Sequence, residues 1–125
     1  MSAVYDAGAL LAAERGDRRL LSLHLRLMQR GHRPIVPVAV LAQVWRRQAG
    51  HSLGQLLRGC HVEAMDEDVA RHAGRLLGSA GRSDVVDAVV VLRALAEDLP
   101  VLTCDRRDLL HLASAAGRRL AVIDV

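Results

Sequence analysis

The sequence predicts a single α/β domain, with a mostly parallel central sheet covered by helices on both faces. Three observations lead there. Short apolar runs of strand length alternate with longer stretches of helical periodicity, the pattern of βαβ units with right-handed crossovers. The chain has 125 residues, of which 51% are hydrophobic. That is enough for one core and too little for two, so one domain over residues 1–125 is expected. The charged fraction is 25% and no long polar tract interrupts the pattern, which excludes a disordered chain.

The elements follow in order. Ala3-Val4-Tyr5-Asp6 reads as a first strand closing on a carboxylate, and Ala7 to Ala13 as a short helix. Asp17 is placed to cap a helix from Arg18 to Arg30, and Gly31 to end it. Pro34 to Val38 reads as a short strand bounded by prolines, then a helix from Val38 to Gln48 that Gly50 stops. A short helix over Ser52 to Arg58 leads to a third strand over Cys60 to Met65, by alternation. Asp66 caps the next helix, expected to run to Leu77 and end at Gly78, ahead of a small-residue loop, 79–83. Ser83 is the expected cap of a helix from Asp84 to Glu97 or Asp98, which Pro100 terminates. Val101-Leu102-Thr103 is the fourth strand, Arg106 to Ala116 a helix closed by Gly117, and Leu120 to Val125 the last strand.

Several function classes are excluded or made unattractive. No stretch of about 18 apolar residues occurs, so no membrane span is expected. The first residues lack the basic segment and apolar run of a signal peptide. Cys60 and Cys104 are too few for a disulfide scaffold, and a cytoplasmic location is the expectation. The net charge is +3, and all 17 basic residues are arginine. The missing Lys, Asn and Phe point to GC-rich coding as the main cause, although arginine also suits a phosphate partner. The six histidines lack zinc-ligand spacing, and no glycine-rich phosphate loop is present. Cys104, with no histidine placed by sequence to activate it, is a poor nucleophile candidate.

The informative residues are acidic. Open parallel sheets bind ligands at the carboxyl ends of their strands. Asp6 closes strand one and Asp105 follows strand four. Asp84 and Asp87 lie three apart in the first turn of the helix leading into strand four, on one helix face. That helix is otherwise nearly all apolar, so a carboxylate on it must be paired, protonated or metal-bound. Converging carboxylates repel unless a cation neutralises them, and oxygen-only ligands select Mg²⁺ or Mn²⁺. Each aspartate also has a plain role to play: Asp6 and Asp84 as helix caps, Asp105 as a turn residue, Asp108 as a solvated helix residue.

Four stretches carry a resemblance: Val4-Tyr5-Asp6-Ala7-Gly8-Ala9-Leu10-Leu11, the run from Val36 to Trp45, Ser83-Asp84-Val85-Val86-Asp87-Ala88, and the run from Leu102 to Leu109. In their order and spread over nearly the whole chain, the sequence resembles the PIN-domain proteins, the fold of VapC-type toxin ribonucleases. The resemblance implies a PIN-like three-layer sandwich and Mg²⁺- or Mn²⁺-dependent hydrolysis of RNA. Asp6, Asp87 and Asp105 match the family's acidic positions, and Asp108 matches a frequent accessory one. The family usually has glutamate where this chain has Gln43. Asp84 is a candidate to supply the missing charge as a metal ligand. A small antitoxin partner and a homodimer are further implications.

Arg46, Arg47, Arg82, Arg106 and Arg107 are candidate phosphate contacts around such a site, with solvated surface residues as the plain alternative. Trp45 and Tyr5 are the only aromatic residues, too few for base stacking, and Trp45 is expected in the core. Two rival functions remain open: a PIN-fold binding module with weak or no catalysis, which Gln43 favours, and a receiver-like signalling domain. The absence of lysine counts against the second.

Overall fold

The structure, a computed structural model, describes residues 2–46 and 50–125. Five strands form one sheet: β1 (Val4–Tyr5), β2 (Ile35–Pro37), β3 (His61–Glu63), β4 (Val101–Thr103) and β5 (Val122–Asp124). Among the described residues, seven helices connect them: α1 (Ala7–Glu14), α2 (Arg18–Gln29), α3 (Val38–Val44), α4 (His51–Arg58), α5 (Glu67–Ala80), α6 (Val85–Glu97) and α7 (Arg106–Ala115).

Every strand pair is parallel, in the order β3-β2-β1-β4-β5. Val4 lies opposite Ile35 on one side and Val101 on the other. The chain first steps outward from β1 to β2 and β3, then crosses back to β4 and on to β5. With right-handed crossovers, the reversal puts α1–α4 on one face of the sheet and α5–α7 on the other. The helix contacts agree: α1 packs on α2, α3 and α4, while α5, α6 and α7 pack on one another. This is the three-layer sandwich expected. The order also differs from the 2-1-3-4-5 of receiver domains, which removes that alternative.

Apolar runs on the strands explain the core. Val4, Tyr5, Val36, Val101 and Leu102 are almost wholly buried, and so are Leu10, Leu20, Leu53, Leu109 and Leu112 on the helices. On α6 the buried set Ala88, Val89, Val90, Val91, Ala94 and Leu95 forms a broad apolar face, as a segment almost free of polar residues requires. Asp17 caps α2 by accepting from the Leu20 amide at 2.9 Å, and Asp66 caps α5 from Val69 at 2.9 Å. Gly31 and Gly117 adopt the positive φ expected where α2 and α7 end.

Four local expectations need correction. Gly78 does not end α5, which continues to Ala80 and stops at Gly81, in left-handed conformation at φ 64°. A glycine inside a helix costs only about 1 kcal/mol, and burial of Ala73, Leu76 and Leu77 outweighs it. The cap of α6 is Asp84 rather than Ser83, its carboxylate accepting from the Asp87 amide at 3.1 Å. Gly50 precedes α4 as its N-cap, and α3 closes at Val44. Trp45 is half exposed, because the backbone turns extended there and carries the indole away from the core. Arg47 and Gln48, expected at the end of that helix, lie outside the described residues.

Candidate metal centre

The sheet order places the site. β1 and β4 are neighbours at the point where the connections reverse direction, the switch point at whose carboxyl ends open parallel sheets bind ligands. Asp6 leaves β1 there and Asp105 follows β4. The α6 helix, which contacts both strands, brings Asp87 in its first turn. The α7 helix adds Asp108.

Asp87, Asp105 and Asp108 each present a carboxylate oxygen within 4.8 Å of the others. Asp6 is outside that trio. It is only 4% exposed, and both its oxygens have partners. One accepts from the Ala9 amide at 3.1 Å, capping α1, and the other accepts from the Thr103 hydroxyl. Thr103 in turn accepts from the Asp105 amide at 2.8 Å. This buried hydroxyl therefore links two aspartates 99 positions apart in number, from 6 to 105. Thr103 is not among the site residues expected from the sequence. Its one signal was a polar residue closing an otherwise apolar strand.

Charge is concentrated here and uncompensated. Among the described residues none of Asp6, Asp84, Asp87, Asp105 and Asp108 forms an ion pair with a basic side chain. Asp87 is pushed up to about 7, first by desolvation and then by Asp84, Asp105, Asp6 and Asp108. Burial raises Asp6 as well, against the opposing hydrogen bonds from Thr103 and the α1 backbone. Asp105 is raised by desolvation and by the neighbouring Asp108 carboxyl. An all-oxygen, multiply anionic donor set of this kind fits Mg²⁺ or Mn²⁺ and offers nothing to a softer metal.

The remaining candidates divide. Asp84 is exposed, and its carboxylate is engaged as the α6 cap, from where it adds charge to Asp87 and Asp105. Gln43 is exposed in the last turn of α3, a helix that touches α6. Arg46 donates to the carbonyls of Ala42 and Trp45. Arg106 pairs with Asp124 at 3.0 Å and donates to the Val122 carbonyl, so it braces α7 against β5. Arg82 is exposed just before α6, Arg107 is exposed on α7, and Arg47 lies outside the described residues.

No protein-family model matches the sequence, and no curated protein matches it. Solved structures do. VapBC2 from Rickettsia felis, bound to a DNA fragment from its promoter, superposes over 100% of this chain and 99% of its own, with TM-score 0.69 at 14% identity. The chain shares a PIN-like fold with these structures. PAE2754 from Pyrobaculum aerophilum covers 100% of this chain and 91% of its own, with TM-score 0.64 at 17% identity. A toxin–antitoxin complex from Klebsiella pneumoniae covers 86% and 89%, with TM-score 0.59 at 16% identity. In this PIN-like fold the acidic crevice occupies the switch point between β1 and β4. No described helix is long and apolar enough to cross a membrane.

Proposed function

We propose that this chain is a metal-dependent endoribonuclease, the toxin of a toxin–antitoxin pair, which hydrolyses RNA phosphodiester bonds with Mg²⁺ or Mn²⁺. The observation that carries the reading is the Asp87, Asp105 and Asp108 cluster at the switch point of a fold shared with toxin–antitoxin proteins. Asp87, Asp105 and Asp108 would hold the cation directly, with Asp6 beneath them and Asp84 adding charge. A divalent cation there supplies Lewis-acid activation of water and phosphate. The protein's own part is to pre-set the ligands. Thr103 ties the Asp6 carboxylate to the Asp105 backbone, which anchors these two to the ends of β1 and β4, while α6 and α7 supply Asp87 and Asp108. Asp87 must give up its proton on loading, so cation binding should tighten as pH rises through about 7. Arg82 and Arg107, both exposed, are the candidates for an incoming phosphate, whereas Arg46 and Arg106 already serve local contacts.

The antitoxin contact is assigned to α2, whose outer face leaves Leu21 and Leu25 exposed, the latter at 57%. A homodimer, by the same reading, completes the assembly.

The test is cleavage of a mixed RNA pool by purified protein, with Mg²⁺ or Mn²⁺ titrated and EDTA as control. Cleavage that needs the cation and vanishes in Asp87→Asn supports the proposal. Cleavage that survives EDTA and the substitution rejects it. Gln43 favours a second reading, since a neutral amide stands where the resemblance calls for glutamate. RNA or antitoxin binding without cleavage at any cation concentration would establish the chain as a binding module.

A further inference from the structure

Away from the acidic crevice, a buried phenol and a half-buried imidazole meet between β1 and α2. The Tyr5 side chain has no solvent exposure, and its hydroxyl lies 2.8 Å from His24 Nδ1. The two rings stand 5.8 Å apart, tilted by 54°. The far side of the imidazole is closely fitted too. A Cβ on Gly59 would lie 2.6 Å from Met28 Sδ and 3.3 Å from His24 Nε2, so glycine at the α4–β3 turn makes room for the ring.

The proton inventory of this contact is one-sided. A buried phenol needs a partner, and Tyr5 has His24. With His24 neutral, its Nδ1 accepts the phenolic hydrogen and the buried phenol is satisfied. A protonated His24 carries hydrogen on Nδ1. The phenol oxygen would then have to accept, leaving its own hydrogen buried without an acceptor. Burial already disfavours the charged ring and lowers its pKa. Desolvation is the resolved cause of that shift, with no opposing charge beside it among the described residues. The titratable neighbours are the Tyr5 phenol from β1 and the Cys60 thiol at the α4–β3 turn, both raised by burial and so neutral. The Arg33 guanidinium beyond them donates to the Cys60 carbonyl and is itself positive. The packed face of α1 is apolar, and the only ionisable residue on that helix, Glu14, is exposed.

We propose that the Tyr5–His24 contact is an acid-sensitive clasp, which holds α2 on the domain while His24 is neutral and lets it go when the imidazole takes up a proton. In mild acid α2 opens as a unit, while the sheet and the α5–α7 layer stay folded. The clasp stands on its own contacts and does not depend on any nuclease activity.

The experiment is hydrogen exchange of the full chain between pH 7.5 and 5.2, corrected for intrinsic exchange, with NMR titration of His24 alongside. The imidazole should titrate below the ordinary histidine value. Protection of residues 18–30 should fall toward about tenfold per pH unit between the free and the clasped pKa, the slope of one proton uptake. Protection of α6 should not follow it. In His24→Gln the amide oxygen can accept from Tyr5 without titrating, and α2 should keep its protection across the range. The clasp is overturned if His24 titrates at or above its ordinary value, or if α2 loosens equally in wild type and His24→Gln. Should that variant fail to fold, the wild-type titration and exchange still decide.

Discussion

Replacing Asp87 by Asn should stabilise the metal-free protein while disabling its proposed site. In the folded chain the carboxyl is raised from the ordinary aspartate value to about 7 by desolvation and by four neighbouring aspartates. A folded-state pKa above the unfolded one means the native state holds the proton more tightly. Stability from this group is therefore lost as pH rises from the ordinary aspartate range through about 7, then levels off. Roughly three pKa units at about 1.4 kcal/mol each set a ceiling near 4 kcal/mol at pH 8. Asp87 is only half buried, so solvent screening reduces this to about 1–2 kcal/mol. For a chain of this size that corresponds to a melting temperature about 3–8 °C higher for Asp87→Asn at pH 8 in EDTA. At pH 5 the advantage should shrink to about a third, because most of the pH-dependent penalty has by then been relieved. Saturating Mn²⁺ should reverse the order, since only the wild type gains from binding. Differential scanning calorimetry at the two pH values, with and without Mn²⁺, measures all three effects. An Asp87→Asn protein that melts at or below wild type at pH 8 in EDTA would refute the claim of uncompensated carboxylate repulsion.

Further outcomes follow from the same geometry. Gln43→Glu should strengthen Mn²⁺ binding by isothermal titration, about tenfold if the added charge faces the cation; unchanged affinity, with Asp84→Asn equally silent, would remove both positions from the site. Thr103→Val should lower stability by about 1–3 kcal/mol in chemical denaturation, because the Asp6 carboxylate and the Asp105 amide both lose their buried partner; a neutral effect would mean water replaces the hydroxyl without penalty. Gly8→Ala should lower stability by about 1–3 kcal/mol, since the new Cβ would sit 2.7 Å from the Cys104 backbone nitrogen, which cannot swing aside. Leu25→Glu should abolish capture of the cognate antitoxin in a co-purification assay while leaving the melting temperature within about 2 °C, because this leucine is exposed.

Much of the architecture was readable along the chain. Asp17 and Asp66 stand immediately before apolar-periodic segments, and capping is a local hydrogen bond that a few residues decide. An aspartate closing an apolar run, such as Asp6 after Val4 and Tyr5, likewise marks a strand's carboxyl end without any tertiary information. The boundaries that misread were those where two local signals competed. Gly78 resembles a helix stop, yet the buried leucines beside it carry α5 on to Gly81. Ser83 and Asp84 are both good caps, and only the backbone turn at Asp84 selects one. Trp45 reads as core by residue type, but the end of α3 turns it outward.

By itself, the sequence determined the class of fold, the order of its elements and the addresses of its carboxylates, because periodicity and capping act over a few neighbouring residues. The tertiary structure decided what those addresses amount to. Placing β4 beside β1 requires the chain to cross back over the sheet, and that follows from how two layers of helices share the sheet's faces. From this one adjacency come the Thr103 bridge between Asp6 and Asp105 and the gathering of carboxylates around Asp87. It also brought Asp108 from an accessory position into a carboxylate trio with Asp87 and Asp105, and left Asp84 as the cap of α6. Such contacts join residues about a hundred positions apart, and they exist only once the whole core has closed around them.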